Sequence, residues 1–156
     1  MEKERNKGYL WLPWAIALYP LALDVLAFRL TGATPGEGLW PLAVPAPAAF
    51  LLLRCVLWLL LSFSAGEVFR SGTLSGGETL KLFAAQPVAF FLWNVFFYYF
   101  HETALSFFWL LFLLLVALRT LADAEHCAPG SGKRQFPWIV YLAALLLLHL
   151  RLLLWG

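Results

Sequence analysis

The sequence predicts an all-α protein, an integral membrane bundle of five transmembrane helices forming a single domain over residues 1–156. Three observations predict it. First, 62% of the residues are hydrophobic and 13% are charged, against about 45–50% apolar and about 25% charged in soluble domains. So few charges cannot cover a water-facing surface. Second, the apolar residues gather into five runs, each near the roughly 20 residues that a helix needs to cross a bilayer. Third, eight Trp and fourteen Phe supply the large rings that anchor helices at a lipid interface or fill a bundle.

The elements follow in order along the chain. Met1–Gly8 is polar and carries Lys3, Arg5 and Lys7. The first span covers residues 9–30 and contains Pro13 and Pro20. It is longer than a signal-peptide core and no small-residue cleavage site follows it, so it reads as a retained span. Residues 31–41, rich in Gly and Pro, read as a loop. The second span covers residues 42–65, and a polar loop is expected over residues 66–79. The third covers residues 80–100, with Pro87 expected to kink it. His101, Glu102 and Thr103 make a tight turn into the fourth span, residues 104–122. A second polar loop is expected over residues 123–135, and the fifth span covers residues 136–155. Prolines within these spans are tolerable because neighbouring helices re-satisfy the freed carbonyls.

Charge placement gives an orientation. Lys3, Arg5, Lys7, Arg70, Lys81, Arg119, Lys133 and Arg134 fall on one side of the alternating spans, and Arg29 and Arg151 on the other. By the positive-inside bias the N-terminus is expected in the cytoplasm and the C-terminus on the far side. The net charge of +2, with no basic stripe, gives no footprint for nucleic acid. Cys55 lies in an apolar run and Cys127 in a polar stretch, so no disulfide is expected between them.

The third span carries a motif. Phe83, Gln86 and Trp93 stand in a fixed register, followed by Phe97-Tyr98 and then His101. This segment resembles the third helix of the TspO/MBR family, the tryptophan-rich sensory and translocator proteins. That family has Phe-x-x-Gln, an Asn four residues on, a Trp three later, and a Phe pair before a short turn. Phe90 replaces the Asn here. In the second span Pro47, Phe50, Trp58, Ser62 and Ser64 fall at the family spacing, with Ala48 and Arg54 where the family has Trp. In the fifth span a Pro-Tyr-Leu-x-Trp motif is reduced to Tyr141-Leu142. The chain is thus similar to a divergent family member over residues 45–155. The resemblance implies a five-helix bundle, often dimeric, with a pocket between helices beneath the first loop. It also implies a tetrapyrrole such as protoporphyrin or heme as ligand, with roles in sensing, sequestration or transport, or in tetrapyrrole breakdown.

Independently of that resemblance, charges within spans are costly and mark functional or paired sites. Asp24, Arg54 and Arg151 are such charges, with His149 beside Arg151. With the orientation above, Asp24, His149 and Arg151 lie toward the far face, where His101 and Glu102 also sit. One reading is a polar rim on an aromatic pocket, with Arg54 or Arg151 binding a ligand carboxylate. The other is an Asp24–Arg54 pair that only joins helices, with Arg151 reaching to the interface. Gln86 reads equally as a helix–helix hydrogen bond. The candidate ligand-binding set is Trp40, Phe50, Arg54, Trp58, Gln86, Phe90, Trp93, Phe97, His101, Tyr141 and His149. Trp11, Trp14, Trp138 and Trp155, near span ends, are expected as interface anchors. Asp123, Glu125, His126 and Cys127 are metal-ligand types without a second cluster, so neither a metal nor a required cofactor is expected. No nucleophile or phosphate-loop motif is present, which argues against a hydrolase. The expected partners are lipid, a hydrophobic small molecule, and a second copy docked through the small pair Ala85 and Ala89 of helix three. The expected function is binding of a hydrophobic, planar ligand such as a porphyrin. The alternatives are an enzyme degrading it in the same pocket, or a membrane scaffold with no small ligand.

Overall fold

Helix formation follows from the apolar runs, because a backbone in hydrocarbon must satisfy every N–H and C=O internally. The computed structural model describes residues 12–33 and 47–155, with the backbone alone for residues 12–17 and 47–48. The helices are α1 (Leu12–Thr31), α2 (Pro47–Ser71), α3 (Leu74–Asn94), α4 (Thr103–Cys127) and α5 (Phe136–Trp155). A π-helical turn, Val95–Tyr99, extends α3, and a 3-10 turn, Gly132–Arg134, precedes α5. There is no strand among the described residues. Four stretches are long and apolar enough to cross a membrane: Ala49–Ser71, Leu74–Tyr99, Thr103–Cys127 and Gly132–Trp155. The chain is a multi-pass helical membrane protein.

The distribution of side chains is inverted relative to a soluble bundle. Leu52, Phe108, Leu115, Leu147 and Leu154 are exposed along the helices. Arg54, Gln86, Asn94, Thr120 and His149 are buried between them. That arrangement suits a lipid surround, where polar groups must find partners inside. Around the bundle α1 adjoins α2 and α3, α3 adjoins α4, and α4 adjoins α5, which meets α2 near its start. No Cα of α5 comes within 8 Å of one in α3. Aromatic side chains fill the space between those two helices.

The helices overrun the expected loops. Residues 66–79, expected as a polar loop, are helical except for a turn at Gly72-Thr73, and α4 continues to Cys127 through residues expected to be loop. Polarity marks where a helix leaves lipid, not where its hydrogen bonding ends. Gly72 closes α2 with φ at +64° and donates its N–H to Phe69 O at 3.4 Å. Only glycine takes that left-handed conformation without cost. Gly72→Ala should therefore lower stability by about 1 kcal/mol. Gly77 lies within α3, and a Cβ there would meet nothing within 4 Å. Gly77→Ala should raise stability by about 0.5–1 kcal/mol through helix propensity. Thermal unfolding in one detergent reads both, and a shift of the same sign in the two variants would refute this account.

The connection between α4 and α5 is tied down by its own side chains. The Glu125 carboxylate accepts the Gly130 and Gly132 N–H groups at 2.8 and 3.0 Å. Ser64 Oγ donates to Ser131 O at 3.1 Å and accepts from Gln135 Nε2 at 3.0 Å. This turn and the Gly72 turn share one face of the bundle, and the tight turn at His101 lies on the other.

Candidate functional site

The interior is organised by three polar clusters joined by rings. The first is an ion pair. Asp24 of α1 and Arg54 of α2 are both buried. Arg54 Nη1 donates to Asp24 Oδ1 at 3.4 Å, and Trp58 Nε1 donates to Asp24 Oδ2 at 3.0 Å. Arg54 Nε donates to Tyr141 Oη of α5 at 3.2 Å. Its guanidinium carbon lies 5.2 Å from the Phe28 ring centroid and 4.8 Å from that of Phe90, so cation–π attraction adds to the pairing.

The second cluster bridges α3, α4 and α5. Trp138 Nε1 donates to Gln86 Oε1 at 2.8 Å, and Gln86 Nε2 donates to Thr120 Oγ1 at 3.1 Å. The Thr120 hydroxyl in turn donates to Val116 O at 2.7 Å. Gln86 is thus a helix–helix hydrogen-bonding residue in this structure. The third cluster joins α3 to α5. Trp93 Nε1 donates to His149 Nε2 at 3.3 Å, and His149 Nδ1 faces Leu145 O at 3.0 Å. Since Nε2 accepts, Nδ1 carries the proton, and the imidazole is neutral with both nitrogens used.

Rings connect these clusters. Phe90 touches Trp58, Trp93, Trp138 and Tyr141, at centroid distances of 5.9, 4.9, 5.3 and 6.3 Å. Trp93 stacks on Phe97 at 6.0 Å with 9° between planes, and Phe97 lies 4.6 Å from His149. Phe90 is the hub of this column, and its ring gives Arg54 an aromatic face.

Above the column, at the His101 face, a cleft of about 460 Å³ opens. Thr31, Gly32 and Ala33 line it from the end of α1, and Leu152 lines it from the end of α5. Phe97, Tyr98, His101 and Thr103 complete it from the π-turn and the start of α4. The π-turn is closed by Phe100 N–H to Val95 O at 3.2 Å, and Glu102 N–H reaches Phe96 O at 3.1 Å. His101 has φ of +56°, a left-handed conformation uncommon outside glycine. The π-turn places the consecutive residues Phe97 and Tyr98 together on the cleft. Such turns concentrate at functional sites.

Eight of the eleven candidates thus form one contiguous column: Arg54, Trp58, Gln86, Phe90, Trp93, Phe97, Tyr141 and His149. His101 is exposed and lines the cleft. Phe50 is half-buried near the start of α2, and Trp40 lies outside the described residues. Arg151 is exposed and does not join the buried charges. Trp138, expected as an interface anchor, is buried and bonded to Gln86. Trp11 lies outside the described residues, and of Trp14 only the backbone is described. Trp155, at the end of α5, is exposed.

Asp24, Tyr98 and Trp138 belong to the site beyond the candidate set. Trp138, Leu142, Leu145 and His149, all buried, fall at helical spacing, and that spacing was the signal for Trp138. Ala85 is exposed, whereas Ala89 is half-buried and its carbonyl accepts Trp109 Nε1 of α4 at 2.7 Å. Among the described residues no group of three or more His, Cys, Asp or Glu could hold a metal. Asp123 pairs instead with Arg119 at 3.5 Å. No protein-family model matches the chain, and no curated protein matches it.

Proposed function

We propose that the chain binds a hydrophobic, planar ligand such as a porphyrin at the His101 face, as a divergent TspO/MBR-like protein for sensing, sequestration or transport. The observation that carries the reading is the continuity of the cleft with the aromatic column, since Phe97 lines the one and stacks in the other. The cleft volume falls within the range of about 300–1,000 Å³ usual for small-molecule sites. Flat rings at its base offer stacking to a flat ligand. The reading takes α1 as the fifth span, with the N-terminus cytoplasmic and the C-terminus on the far side, supported by the eight-to-two division of basic residues. It includes a homodimer across the exposed Ala85 of α3.

A titration of the detergent-solubilised protein with protoporphyrin IX tests it, read by quenching of the eight tryptophans. Saturable binding is expected with Kd on the order of 1 μM. Leu152→Trp, which places a ring in the cleft, should abolish it while circular dichroism is unchanged. Unsaturable quenching, identical in that variant, would refute the reading.

The filled interior favours a second reading, a membrane scaffold without a small ligand. Every polar side chain of the column already has a partner, so the column is a finished core without any ligand. The same titration separates the two.

A further inference from the structure

We infer that Asp24 is a built-in substitute for a ligand carboxylate, and that the ligand of the cleft is an acid whose carboxylate takes the place of Asp24 on Arg54. The inference rests on the binding reading above and adds the ligand's charge and the residue that competes with it.

Arg54 is 1% exposed, in a stretch apolar enough to cross a membrane. A buried cation there requires an anion, and Asp24 supplies it. The contact is weak for so buried a pair, however. It runs through Nη1 alone, at 3.4 Å, beyond the 2.7–2.9 Å of good charge-assisted bonds and without the two-pronged geometry Arg and carboxylate prefer. The second carboxylate oxygen is turned away, to the Trp58 indole at 3.0 Å. Trp58 therefore gives Asp24 a partner that survives the loss of Arg54. Arg54 in turn keeps Tyr141 and the faces of Phe28 and Phe90 without Asp24. These contacts hold each side chain in position while the pair is open, although they do not replace the lost counter-charge.

The partition between cleft and guanidinium begins with Phe97 and Tyr98 and continues through Trp93 and Phe90. Phe97 and Tyr98 both line the cleft, and Phe97 leads inward through the stacked ring of Trp93 to Phe90, whose face lies 4.8 Å from the Arg54 guanidinium carbon. Both also lie in the π-turn, whose bonding is the least regular in α3. A flat molecule entering from the cleft meets these two rings first. A carboxylate carried past Trp93 and Phe90 as well meets Arg54. The exchange is non-covalent: the ligand carboxylate pairs with Arg54, and Asp24, left with only the Trp58 indole, takes up a proton.

The test compares protoporphyrin IX with its dimethyl ester, which keeps the ring and loses both charges. In the wild type the acid should bind about tenfold tighter than the ester, the difference expected of a hydrogen bond to a charged group. Asp24→Asn removes the competitor while keeping an amide the size of the carboxylate. It should tighten the acid about tenfold, leave the ester unchanged, and let the acid raise the thermal midpoint more than in the wild type. The double variant Asp24→Asn with Arg54→Gln, neutral at both positions, should bind acid and ester alike. Equal affinity of acid and ester in the wild type, or weaker binding of the acid by Asp24→Asn at unchanged ester binding, would overturn the inference and leave the binding reading standing. No saturable binding of either compound would remove both.

Discussion

Removing one partner of the Asp24–Arg54 pair should be among the most damaging single changes in the molecule, at about 3–5 kcal/mol of stability. Asp24→Leu leaves the guanidinium with Tyr141 and two ring faces but no anion. Arg54→Met leaves a carboxylate with only the Trp58 indole. Neither remaining charge can reach water, because both residues lie deep in the bundle. The double variant Asp24→Leu with Arg54→Met should recover most of the loss or exceed the wild type, since well-packed apolar replacements of buried pairs are often neutral or stabilising. A double-mutant cycle by reversible unfolding in detergent measures this. Additive losses would mean that the pair is not coupled and that each residue is held by its other contacts.

The predicted recovery also bears on why the pair exists. A core that would be as stable without two charges does not need them to fold. Arg54 lies on the column that leads to the cleft, which is why a ligand role is assigned to it and not only a fastening role.

Much of this was legible in the residues. Composition and run length identify the helices, because lipid forces polar backbone into helices wherever twenty apolar residues occur together. The buried charges Asp24 and Arg54 stood out by the cost of placing them in a span. Helix ends were not legible. Glu67, Arg70 and Glu78 suggested a loop, yet they lie within α2 and α3, where Lys81 and Glu78 pair at 2.7 Å and Glu67 pairs with Arg134. Gln86 and His149 were visible as polar residues within apolar runs, but their partners are far away in sequence, and a single chain read in order does not reveal them. Trp138 was misread because distance from the span end gives depth and not direction. The direction was in the spacing to Leu142, Leu145 and His149, which puts it on the inward side of α5. The cleft was the least visible feature, since it depends on a π-turn that no residue of Val95–Tyr99 announces.

Trp138 carries the other large prediction. Its indole lies 4.5 Å from Trp58, 5.3 Å from Phe90 and 5.7 Å from Tyr141, centroid to centroid. With α3 and α5 not touching through their backbones, the Phe90 contact and the bond to Gln86 join the two helices at this level, as Trp93 and His149 do nearer the cleft. Trp138→Ala opens a cavity between them, at about 3–5 kcal/mol, and strands Gln86 Oε1, at about 1–3 kcal/mol more. Trp138→Phe keeps most of the ring and loses the donor, so the second cost falls on it nearly alone. Trp155→Ala, at a position 79% exposed, should change stability by less than about 0.5 kcal/mol. Unfolding midpoints in the same detergent rank the three variants. If Trp138→Phe were as damaging as Trp138→Ala, the hydrogen bond to Gln86 and not the ring packing would be what Trp138 contributes. If Trp155→Ala were the worst of the three, Trp138 would not be the core residue that its burial and contacts make it.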